Sequence, residues 1–278
     1  MNWHLVSDSA CDLYRLEGGA EKMDFSTIPF TIRIGGKEYI DDAQMPITEM
    51  LEANETHAEM AQTACPSPEA WREQFSAPGP VIAFTISSAL SGSYNSACTG
   101  RDMLLEEEPD KEIAIIDTKS TGPEEAMLIW HARDLILEGK CLKEIEKALN
   151  ETAGKIHTIF ALSSYHNLIK SGRVSRLIGF IAGHLGFWGV GVGDEKGEIA
   201  IRGKARGSKS MIRFLVEEIR KVGPAGKQIV ISHCQNEKDA LSLKAALETA
   251  FAGIEVLVQP TRGLDSFYAE RSGLIVGY

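Results

Sequence analysis

The chain has 278 residues, 44% of them hydrophobic and 24% charged, the composition of an ordinary globular protein with room for one large domain or two modest ones. Its formal net charge of −10 argues against a general nucleic-acid binder, whose affinity comes from neutralising phosphates. The five cysteines (Cys11, Cys65, Cys98, Cys141 and Cys234) are scattered singly, and an odd count without a CxxC pair argues against both a disulfide framework and a zinc site.

The opening MNWHLVSDSACDL has no basic n-region and no long apolar run, so a cytoplasmic protein is expected. WHLV reads as a short strand, ended by the hydroxyls and carboxylates of SDSACDL. FSTIPFTIRIGGKEYIDD alternates apolar and polar residues around Gly-Gly, the pattern of a hairpin. PITEMLEANETHAEM reads as a helix. In AQTACPSPEAWREQF a loop passes into a helix, with Ser67 as N-cap, Pro68 in the first turn, and Glu69 and Glu73 near the positive end. Strand VIAFTI then leads through the loop ISSALSGSYNSA, residues 86–97, into a helix from about Tyr94 to Glu107. EIAIIDTKSTGPEEAMLIWHARDLILEG repeats that order of strand, hydroxyl-rich turn and helix. Strands alternating with helices predict parallel β-α-β units, whose ligands bind beyond the carboxyl ends of the strands. The hydroxyl clusters at Ser7–Ser9, Ser87–Ser93 and Thr118–Thr121 each follow a strand and are expected on one rim.

From about residue 156 a second α/β domain is expected, giving residues 1–155 and 156–278 as two domains, each with a mainly parallel sheet flanked by helices. HTIFALS is a strand, and SYHNLIKSGRVSRLIGFIAGHL reads as helix, turn, helix. Residues 177–193, LIGFIAGHLGFWGVGVG, are apolar but carry six glycines and a histidine, so they are rejected as a membrane span. GEIAIRGKARGSKSMIRFLVEEIRKVG gives a strand, a basic loop and an amphipathic helix. KQIVISHCQNEKDALSLKAALETAF gives another strand and helix, and IEVLVQPT and SGLIVGY close as strands. Residues 163–213 hold nine Lys or Arg against three Asp or Glu, a local +6 that leaves −16 on the rest of the chain. That basic stretch is either a solvated face or a docking surface for an anionic partner.

The serine loop packs five serines, one tyrosine and one glycine into twelve residues without a charge. A strand, a Gly-containing loop and a helix N-terminus offer free N–H groups and a favourable dipole to an anion, and hydroxyls add donors. The pattern GxxxxGK[ST] is absent, which argues against a nucleoside triphosphate. Neutral, numerous donors suit a single carboxylate. The same serines also suit plain turns and caps. A serine nucleophile is the other chemical option; the elbow GxSxG is missing, and it needs a histidine within reach of Ser87, Ser88, Ser91 or Ser93.

Taken in order, SDSACDL, TACPSP, SSALSGSYNSA, IDTKSTG, LIKSGRVSRL and GKARGSKS make a chain that resembles the DegV family over nearly its whole length. The resemblance implies two α/β domains enclosing one long-chain fatty acid, with the carboxylate at the domain junction and the acyl chain buried. It implies a lipid-binding protein rather than an enzyme, with no cofactor and no metal, and in some members the acyl-presenting subunit of a fatty-acid kinase. The head-group donors carried over are Thr63 and Ser93, with support from Ser9, Ser91, Gly92, Tyr94 and Ser120. Arg173 is carried over to the carboxyl rim or the kinase-facing surface, beside Lys170, Arg176, Arg202, Lys204 and Arg206. The glycine-rich stretch 177–193 is the candidate tunnel wall. Two positions depart from the family pattern. TACPS stands where TSQPS is usual, which puts Cys65 beside the head group as a small filler or a reactive thiol. The C-terminal TH-x-GPG-like turn is also missing, for no histidine follows His233, and Arg262, Glu270 or Arg271 is expected in its neighbourhood. The readings that stay open beside a fatty-acid binder are a binder of another amphipathic carboxylate without a kinase, a serine acyl-ester hydrolase, and a DNA-associated regulator using a basic 202–213 loop.

Overall fold

The structure, a computed structural model, describes residues 2–56, 61–174 and 186–278. It opens with β1 (Trp3–Asp8), a 3-10 turn (Ser9–Cys11), β2 (Met23–Ile28), β3 (Thr31–Ile34), β4 (Lys37–Ile40), α1 (Ile47–Thr56), β5 (Gln62–Ala64) and α2 (Pro68–Phe75). Then come β6 (Val81–Thr85), α3 (Ser93–Glu107), β7 (Ile113–Asp117), α4 (Pro123–Leu137), α5 (Leu142–Ala153), β8 (Thr158–Leu162) and α6 (His166–Lys170). The last third holds β9 (Phe187–Gly193), β10 (Ile199–Arg206), α7 (Ser208–Val222), β11 (Gln228–His233), α8 (Glu237–Ala250), β12 (Glu255–Pro260), α9 (Gly263–Ala269) and β13 (Leu274–Gly277).

Strands β2-β1-β6-β7 form a parallel sheet. Its central strand VIAFT is buried throughout, because helices cover both faces and every side chain meets one of them. Leu5, Ile82 and Phe84 face α4 and α5, where Leu128, Ile129 and Ile145 meet them. Val6, Val81 and Ala83 face α2 and α3 through Trp71, Phe75 and Leu104. Gly100 lets those two helices approach, since a Cβ there lies 2.5 Å from Pro68 O. Ser67 caps α2 as expected, its Oγ accepting from Ala70 N at 3.3 Å.

The second sheet runs β10-β9-β8-β13-β11-β12. The α/β class holds, but the expectation that this sheet is mainly parallel does not: β11 and β12 are parallel and the other four pairings are antiparallel. β9 and β10 are joined by a tight turn rather than a helix, with Asp194 Oδ1 accepting from Lys196 N and Glu198 N at 2.9 Å each. The final strand β13 then inserts between β8 and β11. Residues 202–206 therefore lie on an edge strand and 208–213 on a helix, not in the basic loop that the DNA-regulator reading assumed. A small antiparallel sheet, β4-β3-β5, completes the fold. Its Ile32 and Tyr39 join Met50 and Leu51 of α1 in packing against Phe160, Tyr165 and Phe267.

Candidate functional site

The carboxyl ends of β1, β6 and β7 meet on one rim, and their turns are bonded to one another. Ile86 N donates to Asp8 Oδ2 at 3.1 Å, Ser87 N to Ser120 O at 2.8 Å, and Thr118 Oγ1 to Thr85 O at 2.8 Å. Backbone amides, the Asp8 carboxylate and the Thr118 hydroxyl thus tie the strand ends together at the rim.

Ser93 opens α3, is buried, and donates its hydroxyl to Asp8 Oδ2 at 2.6 Å. Ser91 Oγ accepts from Ser93 N at 3.2 Å, and Gly92 is the exposed N-cap, with Cys65 Sγ 3.7 Å from where its Cβ would be. Tyr94 is half-buried on the first turn of α3. Thr63, on β5, places its Oγ1 2.9 Å from the hydroxyl of Tyr268 on α9. Arg173 stacks its guanidinium 4.9 Å from the same Tyr268 ring and donates Nε to Leu90 O at 2.9 Å. Thr63, Tyr268, Arg173, Leu90 and Cys65 are therefore one neighbourhood, adjoining Ser93 through Cys65 and Gly92. Ser9 stands apart, since its Oγ accepts from Phe30 N at 3.0 Å and fixes the chain entering β3. Ser120 lies 2.5 Å from Thr158 Oγ1, on the side facing β8. Burial pushes the pKa of the Cys65 thiol up, favouring the less nucleophilic form and the small-filler reading.

Between these turns and the second sheet lies a cleft that encloses about 680 Å³ when the open space at its mouth is included. Phe160, Leu162, Leu168, Ile199 and Ile275 give it apolar walls, while Arg173, Tyr268, Ser120, Thr121 and Asp265 supply its polar groups. Of the proposed tunnel wall, Gly193 lines the cleft, and residues 177–185 lie outside the described residues. Lys170 is exposed at the end of α6, and Arg202, Lys204 and Arg206 are exposed on edge strand β10; Arg176 lies outside the described residues.

Among the described residues, none of the four loop serines is hydrogen-bonded to a histidine. Ser87 Oγ donates to Gly197 O at 2.8 Å and Ser88 Oγ to Asp117 Oδ2 at 2.5 Å, while Ser91 and Ser93 are engaged as above. The nucleophile reading has no base in these contacts, and His184 lies outside the described residues.

Under the rim lies Arg262, one of the three residues expected there, with a burial that the sequence did not reveal. Arg262 is 1% exposed. Its N–H donates to Asp12 Oδ1 at 2.6 Å, and its guanidinium donates to Leu13 O and Asp41 O, each at 2.5 Å. Asp41 in turn accepts Gly263 N and Leu264 N at 2.9 Å, which ties the first turn of α9 to the segment after β4. Arg262 is thus an internal anchor. Glu270 accepts Ser164 Oγ at 2.9 Å, and Arg271 pairs with Glu55. Asp265, Tyr268 and Ala269, on the helix that follows Arg262, are the residues of this segment that reach the cleft. Asp8, Asp12, Glu124, Glu125 and Asp265 surround the same region. Burial pushes Asp8 up to about 6 and Asp12 and Glu124 up to about 7, and holds Glu125 and Asp265 well above the usual carboxylate range. Among the described residues, no three His, Cys, Asp or Glu are placed to hold a metal ion.

These acids set a pH dependence. Glu124 keeps its proton up to about 7 in the folded chain instead of its ordinary 4.5, so between those values the folded state binds more protons than the unfolded one. Stability from this group is full below about 4.5 and is lost as pH rises to about 7, a change on the order of 3 kcal/mol. Glu124→Gln is expected to flatten that part of the slope. Comparing the melting temperatures of wild type and variant at pH 5 and pH 8 checks it, because the buried histidines, which act in the opposite direction, cancel in the difference.

A family model described as an uncharacterised protein of the DegV family matches residues 2–263. The chain belongs to the DegV family. A DegV domain-containing protein of Streptococcus pneumoniae is 36% identical over 278 residues, covering 100% of this chain and 99% of the relative. Two solved structures are also 36% identical. One is the Streptococcus pneumoniae fatty acid kinase (Fak) B3 protein loaded with linoleic acid, with a TM-score of 0.96 over 100% of this chain and 99% of that one. The other is a DegV family protein from Eubacterium eligens loaded with heptadecanoic acid, with a TM-score of 0.94 over 99% of this chain and 98% of that one.

Proposed function

We propose that this DegV chain binds one long-chain fatty acid, its acyl chain in the cleft and its carboxylate at the end where Thr63, Tyr268, Arg173 and Ser93 gather. The observation that carries this reading is an apolar slot whose lining includes the Arg173 guanidinium and Tyr268, with the Thr63 hydroxyl bonded to that of Tyr268 beside it. The 36% identical relatives loaded with fatty acids support it. On this reading, residues 1–155 contribute the carboxylate loops, and residues 156–278 contribute the acyl slot and a basic surface. An acyl chain gains about 0.8 kcal/mol per buried methylene, so about sixteen carbons supply on the order of 10 kcal/mol before association costs. The head group mainly fixes orientation. No helix among the described residues is long and apolar enough to cross a membrane. A cytoplasmic carrier that presents its carboxyl group to a kinase subunit is the role we assign, supported by the fatty acid kinase name of the pneumococcal protein.

Mass spectrometry of an organic extract from purified, never-delipidated protein tests the binding. Near-stoichiometric long-chain fatty acid is the expected result. An empty extract with no uptake of added palmitate or oleate refutes it. Thr63→Val with Ser93→Ala is expected to lower retained fatty acid at least about tenfold with an unchanged circular dichroism spectrum, losing two hydrogen bonds to a charged group. Arg173→Ala is expected to impair kinase-dependent phosphorylation more than binding; equal losses place Arg173 on the carboxylate instead.

A further inference from the structure

We infer that Asp8 is a positioning residue for the ligand carboxyl group: it sets the direction of the Ser93 hydroxyl and makes the protein take up one proton with each carboxylate it binds. The inference rests on Ser93 being a head-group donor, as proposed above.

A serine hydroxyl carries a single proton. In this structure Ser93 donates it inward, to Asp8 Oδ2 at 2.6 Å. The same Oδ2 accepts from Ile86 N at 3.1 Å, and Oδ1 accepts from Ala10 N at 3.2 Å. Asp8 is 0% exposed, and no Lys or Arg among the described residues forms an ion pair with it. The titratable groups that act on it from the surrounding elements are Asp41 after β4, Glu125 on α4, Asp265 on α9 and the Cys65 thiol after β5. Each of them is neutral or like-charged. An ionised Asp8 therefore turns only the lone pairs of Ser93 outward. A ligand carboxylate arriving there meets an acceptor with an acceptor, and sets a second negative charge one hydroxyl away from the first.

One added proton removes the conflict. It either sits on Asp8, whose O–H then donates to Ser93 Oγ while Ser93 donates to the ligand, or sits on the ligand, whose O–H donates to Ser93 while Ser93 still donates to Asp8. Both arrangements contain one proton more than the separated Asp8 and ligand anions, and solvent supplies it. Only O–H bonds form and break. Burial pushes Asp8 up to about 6 in the free chain, so at pH 8 that proton is not already present. At pH 5 it is.

The test uses delipidated full-length protein and decanoate, a carboxylate that stays monomeric at the concentrations needed. Calorimetric titration at pH 8 in two buffers of different ionisation enthalpy counts the protons. The expected result is uptake of about one proton per decanoate at pH 8 and near zero at pH 5, with affinity falling about tenfold per pH unit above about 6. Asp8→Asn is expected to abolish the uptake and flatten the pH dependence. Uptake near zero in the wild type at pH 8, alongside weaker binding by Ser93→Ala, overturns the role of Asp8 and leaves the head-group reading standing. Equal uptake in wild type and Asp8→Asn moves the proton to another acid and also overturns it. Unchanged decanoate affinity in Ser93→Ala removes Ser93 from the head group, and the inference with it. The wild-type count needs no variant, so a failure of Asp8→Asn to fold does not block the test.

Discussion

Replacing Arg262 with methionine is expected to destabilise the chain by about 3–5 kcal/mol, the cost of removing one partner from a buried charged pair. The side chain is fully enclosed, and so is Asp41, 3.7 Å from its Nε. The variant leaves Leu13 O, Thr27 Oγ1 and Asp41 O without their guanidinium donors and takes the cation from the Tyr14 ring 4.4 Å away. The backbone bonds from Gly263 and Leu264 to Asp41 survive, but they then hold an uncompensated charge. A drop in the urea midpoint with an unchanged m value is the measurement. Arg262→Met combined with Asp41→Asn is expected to recover part of the loss, because the stranded charge goes with it. A cost below about 1 kcal/mol for the single change would show that Asp41 is already neutral in the folded chain.

That anchor also explains why part of the site was hidden in the sequence. The strands before residue 155 announce themselves by apolar runs and hydroxyl turns, and the three turns do meet on one rim. Asp8, Asp12, Asp41 and Asp265, however, look in sequence like turn and cap residues. Their burial follows from contacts such as Arg262 N to Asp12 Oδ1, which spans 250 positions. No local pattern reports a partner at that separation. Helix α9 was missed for a similar reason. It is short, it begins at a buried arginine, and GLDSFYA is buried at six of its seven positions, so it has no polar face to give a helical period. Tyr268, the residue that ties Thr63 to Arg173, went with it. The parallel second sheet was expected because strand-helix order carries no direction of return; the Asp194 turn and the insertion of β13 set that direction through tertiary pairing.

FWGVGVG shows the opposite case, a strand concealed by its own packing. Its glycines at alternate positions weaken the strand signal. The structure gives one of them a reason. Gly191 sits opposite Phe160 on β8, and a Cβ on Gly191 falls 2.5 Å from Phe160 Cζ and 3.1 Å from Ala200 O. The ring of Phe160 occupies the space a side chain at 191 needs, and Phe160 also forms a wall of the cleft. Gly191→Val therefore has two expected effects. Overpacking costs about 1–3 kcal/mol of stability. The ring is also displaced toward the slot, and if it excludes about three methylenes from burial, a long ligand loses roughly 2 kcal/mol, some thirtyfold in affinity. A ten-carbon acid that does not reach the ring loses less. Binding of saturated acids from ten to eighteen carbons, measured on wild type and variant at equal folded fraction, checks the point. The expected result is a maximum shifted to shorter chains. A uniform loss at every length would mean that Phe160 moves away from the slot and that Gly191 serves the sheet alone.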